Sequence, residues 1–179
     1  LLLAGCGSSS TSSPAATETD ARYALANGCY ALQSRSNGSF VRKSGNVFSA
    51  DAVALADAEP FYLKPTALGS FMLYARDGSF LAAPGATVAS QPTADDNADW
   101  TVDSDTDGNF RLSLASQGLS LASAGTDGSL ALSKQASNFA FPSASGCTPF
   151  PEIEVDSTGS PFQGRGVAQP VLGFADAHV

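Results

Sequence analysis

Two sets of equally spaced residues constrain the fold of this chain more than any other feature of its sequence. Three glycines recur at one constant interval, and three large aromatic residues recur at an interval that is one residue shorter. These residues are Gly38, Gly78 and Gly118, and Phe61, Trp100 and Phe139. A repeat of about 40 residues that occurs three times predicts one sheet-rich unit, built three times within a single domain. Neither end of the chain fits the repeat, so we expect both ends to belong to other parts of the protein.

Each unit contains four short apolar segments separated by turn residues, which predicts an all-β chain of twelve strands. In residues 110–114, apolar and polar residues alternate with the period of two that is typical of a strand with one buried face. Asn37-Gly38, Asp77-Gly78 and Gln117-Gly118 stand where a hairpin needs a positive φ, which glycine adopts without steric cost. In the first unit, the third strand is predicted at residues 52–55.

Residues 26–147, with three equal units of four strands, resemble the β-trefoil. That fold closes a six-stranded barrel and caps it with three hairpins, which leaves no long edge strand exposed. The resemblance implies that the first and last strands of the domain are neighbours. A β-sandwich is the alternative, but a sandwich does not explain the equal spacing.

The charge balance limits the partners of the chain. Its 179 residues carry a net charge of −8 with only 9 Lys and Arg. A nucleic-acid partner requires a stripe of basic side chains for its phosphates, and the sequence contains none. An anionic membrane surface is excluded as an electrostatic partner on the same grounds.

Residues 1–6 end in Leu3-Ala4-Gly5-Cys6, which resembles the lipobox at the end of a bacterial lipoprotein signal peptide. The resemblance implies that Cys6 carries a lipid anchor and that the protein lies in the bacterial cell envelope, outside the cytoplasm. Residues 7–25 are rich in Ser, Thr and Ala and are expected to form a disordered tether. The alternative is a chance match, with Cys6 as a further disulfide partner or a free thiol.

With Cys6 modified, two cysteines remain, and they lie at the two ends of the repeat region. Cys29 and Cys147 then predict one disulfide, because the extracytoplasmic compartment is oxidising. Such a bridge closes a loop that spans almost the whole repeat region. Metal binding by these two cysteines is not favoured, because the repeat region contains no histidine and no third cysteine.

Sugar binding is the obvious function for a trefoil, but the sequence gives no pattern for it. The ricin-type family marks each unit with Gln-x-Trp, and the corresponding positions here read Glu59-Pro60-Phe61, Ala98-Asp99-Trp100 and Ser137-Asn138-Phe139. The signature is absent, so we predict that these aromatic residues lie in the core, in closer resemblance to fascin-like scaffolds. Four other residues have the right chemistry for sugar, although nothing selects them: Tyr62, Tyr74, Asp77 and Asp127.

Residues 103–109 resemble the first half of a calcium-binding loop, with three aspartates at alternate positions followed by Gly108. Such a loop ends in an acidic residue at its twelfth position, which here is Leu114. A polar turn between two strands is therefore the favoured interpretation.

Beyond a Pro-rich linker at residues 148–172, residues 173–179 resemble the first barrel strand of amidohydrolase-type metal-dependent hydrolases. That strand carries a His-x-His pair at the mouth of a TIM barrel. The resemblance implies that His178 is the first ligand of a divalent metal, zinc in the first instance, with Asp176 as part of the motif. The second histidine would follow Val179, so no metal site is expected within this chain. Alternatively, His178 is a packing residue.

The sequence therefore predicts the N-terminal part of a lipid-anchored, metal-dependent hydrolase. Its trefoil is expected to position the enzyme against a glycan or a protein of the cell envelope. No arrangement of Ser, His and Asp supports catalysis within the chain itself. The competing hypothesis is a surface lipoprotein without catalytic activity, whose trefoil binds glycan or protein.

Overall fold

The computed structural model describes residues 20–105, 107–124 and 127–152. Within them, thirteen strands pair antiparallel in one continuous network, together with two short 3-10 helices at Ala21–Leu25 and Leu55–Asp57. The strands are β1 (Cys29–Tyr30), β2 (Gln33–Ser34), β3 (Phe40–Ser44), β4 (Val47–Ala52), β5 (Phe61–Ala67), β6 (Ser70–Tyr74), β7 (Phe80–Ala82), β8 (Ala89–Gln91), β9 (Asp99–Ser104), β10 (Phe110–Leu114), β11 (Leu119–Ala124), β12 (Ser129–Ser133) and β13 (Phe139–Ala140).

Seven of these strands form the barrel, in the order β1, β5, β6, β9, β10, β13 and β2. The short strands β1 and β2 are consecutive in sequence and occupy one side of the barrel together. The ring therefore closes when β13 pairs with β2, through Phe139 opposite Ser34. Each unit contributes its first and last strands to this ring, as the β-trefoil resemblance implies.

The middle strands of each unit form a hairpin, and the three hairpins cap one end of the barrel. They are β3–β4, β7–β8 and β11–β12. Each hairpin touches the other two: β4 pairs with β8 and with β12, and Thr87 bridges to Ala131. This threefold cap confirms the predicted architecture and leaves the opposite end of the barrel to carry the chain termini of the domain.

The aromatic residues of the repeat are buried in the barrel, as predicted. Phe61, Trp100 and Phe139 are each fully buried. The indole Nε1 of Trp100 donates a hydrogen bond to the carbonyl oxygen of Leu81, 2.8 Å away, so its one polar atom is satisfied. Burial of these rings and of the leucines around them supplies the main stabilising free energy of the fold.

The predicted turn glycines also have the expected conformation, with φ of 74° at Gly38, 84° at Gly78 and 61° at Gly118. A further glycine, Gly128, combines a positive φ of 70° with close packing against the first hairpin. A Cβ at this position would lie 2.3 Å from the carbonyl oxygen of Ala50. Gly128 therefore permits the contact between β12 and β4.

The predicted strand at residues 52–55 is wrong. The strand of this hairpin is β4, which begins at Val47, and its inward-facing residues are Phe48, Ala50 and Ala52. Val53 is 89% exposed, and Leu55 begins a 3-10 helix. The tight turn at Gly45, with φ of 59°, fixes the register of β3 and β4 and outweighs the continuous apolar run of residues 52–55.

The predicted disulfide is confirmed. Cys29 and Cys147 are bonded, with Cα atoms 5.8 Å apart and a sequence separation of 118. The backbone around the bond is also paired, since the amide of Ala144 donates to the carbonyl oxygen of Cys29 over 3.0 Å. The bridge therefore joins the two ends of the trefoil where they already lie together.

Candidate functional site

Three clefts occupy related positions around the barrel, one beside each pair of neighbouring units. Ser36, Arg76 and Ser116 follow the interval of the turn glycines, and each lines one of the clefts. A second set follows the interval of the core aromatic residues in the same way, and its members are Pro60, Asp99 and Asn138. The repeat therefore creates the same opening three times, and the side chains give each opening a different chemistry.

We name the three openings by their lining residues. The basic cleft, about 640 Å³, is lined by Arg35, Ser36, Arg111, Lys134, Ser137 and Asn138. The acidic cleft, about 300 Å³, is lined by Asp96, Asp99, Ala115 and Ser116. The apolar cleft, about 740 Å³, is lined mainly by Leu55, Ala58, Pro60, Arg76, Ser143 and Ser145.

Three neighbouring strands of the barrel build the floor of the basic cleft. Phe139 of β13 lies opposite Ser34 of β2 on one side and opposite Phe110 of β10 on the other. Continuing both registers by one residue places Arg35, Asn138 and Arg111 side by side on one face of the sheet. The backbone agrees, because the amide of Arg35 donates to the carbonyl oxygen of Asn138 over 2.8 Å.

Two asparagines hold the guanidinium groups of this row. Arg111 donates from Nε to Oδ1 of Asn138, 2.9 Å away. Arg35 donates from Nε to Oδ1 of Asn109, 2.8 Å away. Asn109 is itself fixed, because its backbone amide donates to a carboxylate oxygen of Asp105 over 2.9 Å. Each guanidinium thus uses its inner nitrogen on the protein and keeps its terminal nitrogens for other partners.

The cations of the basic cleft form no ion pair within the described part of the chain. Of the eight Lys and Arg residues described, four form ion pairs: Arg22, Arg42, Lys43 and Lys64. Three of the remaining four, Arg35, Arg111 and Lys134, line this cleft, and all three are exposed. Among the described residues, none that lines it is acidic.

The nearest acidic residues serve other partners. Asp103 lies opposite Arg111 in the pairing of β9 with β10, but its carboxylate accepts from Arg22 over 3.1 Å. The backbone amide of Asn109 is the main cause that lowers the pKa of the Asp105 carboxyl, and the charge of Arg111 contributes. Asp105 also accepts from the amide of Asp107 over 3.0 Å, so this carboxylate caps a tight turn. The favoured interpretation of residues 103–109 as a polar turn is consistent with these bonds.

Of the four residues with chemistry suited to sugar, the structure brings two together, as packing residues. Tyr62 lies opposite Tyr74 in the pairing of β5 with β6. Tyr74 is buried against Phe80 and against Phe150, a residue beyond the disulfide, whose ring centroid lies 5.2 Å away. Tyr62 packs on the same cluster and donates to Oδ1 of Asn27 over 3.1 Å. Neither ring is free to stack on a sugar.

The two aspartates of this set lie in separate turns, Asp77 between β6 and β7 and Asp127 between β11 and β12, and both cap those turns. Asp77 forms an ion pair with Lys43 and accepts from Ser79, and the bond from Lys43 is the main cause that lowers its pKa to about 2. Asp127 accepts from the backbone amide of Ser129 over 3.2 Å. Their residue types therefore reflect turn formation rather than a shared binding site.

Cys6, Asp176 and His178 lie outside the described residues, so the lipid anchor and the metal ligand stay predictions. Within the described ranges, no group of three His, Cys, Asp or Glu residues is placed to hold a metal ion. Within the same residues, no helix has the length and hydropathy needed to cross a bilayer.

Sequence reasoning missed the basic cleft. Its residues lie in the first and third units, as far apart as Arg35 and Lys134, and they obey no local spacing. One signal was present in the sequence: cations are scarce, and Arg35 directly follows β2 while Arg111 lies within β10, two strands of the barrel. The pairing of β13 with both β2 and β10 was needed to bring them together.

Comparison with known proteins gives the fold. No family model and no curated protein sequence matches the chain. The structure entitled "SeviL bound to asialo-GM1 saccharide" matches with a TM-score of 0.58 at 19% identity, over 66% of this chain and 98% of that one. The ricin B-like lectin of Macrolepiota procera, in complex with lactose, matches with a TM-score of 0.54 at 13% identity, over 66% and 97%.

A GH43 β-1,3-galactosidase matches with a TM-score of 0.57 at 20% identity, over 65% of this chain. The matched part is only 27% of the galactosidase, so this chain spans about a quarter of that enzyme. Together with the closed ring of strands and the threefold cap, these likenesses show that the described chain is a β-trefoil.

Proposed function

We propose that this trefoil is a carbohydrate-binding module of an extracytoplasmic protein and that the basic cleft is its binding site. The observation that carries the proposal is the row of Arg35, Asn138 and Arg111, in which each guanidinium is already held by an asparagine. A site whose polar groups are fixed before binding loses less conformational entropy when the ligand arrives.

The shape and chemistry of the cleft support a saccharide ligand. Its volume of about 640 Å³ falls within the range of small-molecule sites. Guanidinium, amide and hydroxyl groups at the cleft are suited to the hydroxyl and ring oxygens of a sugar. The buried positions of Phe61, Trp100 and Phe139 exclude these rings from contact with ligand.

The structural neighbours favour the same function. Two of them are, by their titles, bound to a saccharide or to lactose, and the third is a galactosidase. At identities of 20% or less they share only the fold with this chain, so the assignment depends on the cleft.

A glycan array tests the proposal directly. The full 179-residue chain, with Cys6→Ser to prevent lipidation, would be exported to an oxidising compartment and labelled for the array. We expect binding to a limited set of saccharides, reduced by Asn138→Ala, which releases Arg111 from its partner. The control is Asn46→Ala, at an exposed turn outside the cleft. A blank array for the folded protein would contradict a carbohydrate-binding function.

We further propose that Cys6 is lipidated and anchors the module to a membrane of the bacterial cell envelope. The support is the lipobox-like sequence at residues 3–6 and the disulfide, which suits an oxidising compartment. Metabolic labelling with a fatty acid tests it: label should enter the full-length protein and should be lost in Cys6→Ser. Unlabelled protein in both cases would contradict the anchor.

A third proposal concerns the protein beyond Val179. The sequence of residues 173–179 favours a metal-dependent hydrolase domain, with His178 as one ligand. The galactosidase supports the general arrangement, because there a matching region is about a quarter of an enzyme chain. Elemental analysis of the full-length gene product tests this: bound zinc that His178→Ala removes would support the hydrolase, and a folded protein without metal would contradict it.

A further inference from the structure

We infer that the basic cleft selects an anionic glycan, a saccharide that bears carboxylate or sulfate groups. The inference rests on the proposed carbohydrate-binding function and names its ligand class. It follows from the position of the cations in the repeat, from the hydrogen-bonding capacity of the cleft, and from the charge of the whole chain.

The fold does not require cations at these positions. The residues equivalent to Arg35 in the second and third units, at the interval of the turn glycines, are Ala75 and Ala115. The residue equivalent to Arg111 in the second unit is Met72. The residue opposite it is Asp99, at the position that Asn138 has in the third unit. The barrel therefore closes equally well with small or neutral residues, and the two arginines are a property of this one cleft.

The groups that the cleft offers are almost entirely donors. Asn138 uses Oδ1 on Arg111, so its amide nitrogen is left to donate. Ser137 uses Oγ as acceptor for the amide of Ser123 over 3.0 Å, so its hydroxyl proton is left to donate. The terminal nitrogens of two guanidinium groups and the ammonium of Lys134 add donors only. A ligand rich in acceptors satisfies such a site, and carboxylate and sulfate are the acceptors that match guanidinium geometry.

The two guanidinium groups form one site rather than two. The side chain of Arg35, which follows β2, crosses over β13 and donates a hydrogen bond to Asn109. Asn109 lies two residues before Arg111. Residues 109 and 111 project from the same face of the strand. The positive charge is therefore concentrated over β13, where a single anionic group of a ligand meets both arginines.

The overall charge of the chain favours a sparsely charged ligand. At a net charge of −8, the protein repels a dense polyanion such as nucleic acid. A glycan that carries isolated carboxylates or sulfates among neutral hydroxyls places one anion at the arginines and leaves its uncharged parts against the remaining surface.

Calorimetry with matched saccharide pairs tests the inference on the full chain carrying Cys6→Ser. The pairs are lactose and sialyllactose, galactotriose and trigalacturonate, and N-acetyllactosamine and its sulfated form. We expect the anionic member of at least one pair to bind about tenfold more tightly than its neutral partner, with affinity that falls as salt is raised. Arg35→Gln with Arg111→Gln should remove this preference.

The matched control is Arg76→Gln, which removes the same kind of charge from the apolar cleft and should leave the preference unchanged. Retained folding of each variant is checked by the near-ultraviolet signal of buried Trp100. Inorganic sulfate and a poly-glutamate peptide are titrated alongside.

The outcomes separate the inference from the proposed function. Neutral saccharides that bind as well as their anionic partners, with no effect of the double variant, would keep the carbohydrate-binding function and overturn the anionic ligand. Sulfate or poly-glutamate that binds as tightly as the best glycan would overturn the assignment to a glycan. Binding of no saccharide at all would overturn both.

Discussion

A hydrogen bond of 2.9 Å from Nε to Oδ1 joins Arg111, in β10, to Asn138, which directly precedes β13. In the second unit, Asp99 stands at the position of Asn138, and the residue opposite it, at the position of Arg111, is Met72. The second pair therefore holds a carboxylate with no cation opposite it, whereas in the third unit a neutral amide leaves the charge of Arg111 in place.

Asn138→Asp tests this relationship. The new carboxylate would form an ion pair with Arg111 and present acceptors to the ligand, so we expect binding of anionic saccharides to fall at least about tenfold. The melting temperature should change little, because an exposed ion pair contributes at most about 1 kcal/mol. Asn46→Asp, which adds the same charge at an exposed turn, is the control. Equal losses of binding in both variants would show a general charge effect rather than one at the cleft.

Removal of the disulfide should destabilise the trefoil without changing its topology. The bond closes a loop with a sequence separation of 118. The chain-entropy model gives such a loop a contribution of about 5 kcal/mol, before any strain is subtracted. Cys29→Ser with Cys147→Ser should therefore lower the free energy of unfolding in denaturant titrations by an amount of this order. An unchanged midpoint would mean that the backbone pairing around Ala144 is sufficient.

Gly128→Ala should be much more damaging than Gly118→Ala, although both residues have a positive φ. A methyl group at residue 128 would lie 2.3 Å from the carbonyl oxygen of Ala50, whereas at residue 118 nothing lies within 4 Å. Gly118→Ala should cost about 1 kcal/mol from backbone strain alone. Gly128→Ala should also break the contact of the first and third hairpins, which thermal unfolding measures. Equal losses in the two variants would contradict the proposed close contact.

The stability of the trefoil should fall in acid over a defined range. The hydrogen bond from Arg42 is the main cause that lowers the pKa of Asp51 to about 2, and the bond from Lys43 does the same for Asp77. A carboxyl whose pKa is lower in the folded state stabilises it fully above the unfolded pKa of 3.8, and this contribution is lost as the pH falls towards 2.

We therefore expect the melting temperature to be flat from about pH 7 to pH 5 and to decline below about pH 4. In Asp51→Asn the decline should be shallower, and the melting temperature at neutral pH should be lower than in the unchanged protein. A slope that does not depend on Asp51 would assign the acid sensitivity to other carboxylates.

The fold was largely predictable because its constraints are periodic. Gly38, Gly78 and Gly118 are equally spaced because the same turn, which needs a positive φ, occurs once in each unit. The aromatic residues are equally spaced because each unit places one large ring at the same position in the barrel. The disulfide followed from the placement of Cys29 and Cys147. The strand at residues 52–55 was misplaced because the register depends on the turn at Gly45, which a continuous apolar run does not reveal.

The candidate site was not predictable in the same way. Sugar-binding residue types were sought at the repeat, but Phe150, from beyond the repeat, covers Tyr74. The residues of the basic cleft depart from the repeat, and only the pairing of β13 with two strands places Arg35 and Arg111 together. Periodic sequence features therefore predict the scaffold, and the exceptions to the period indicate the site.

The bond between Cys29 and Cys147 also has a mechanical consequence. Because it joins β1 to the segment that follows β13, a pull applied between the preceding and following segments of the chain passes through one covalent link. The strands between the two cysteines carry none of that load. A module held this way resists a pull between its two flanking segments without unzipping, and in a force experiment it should extend only after reduction.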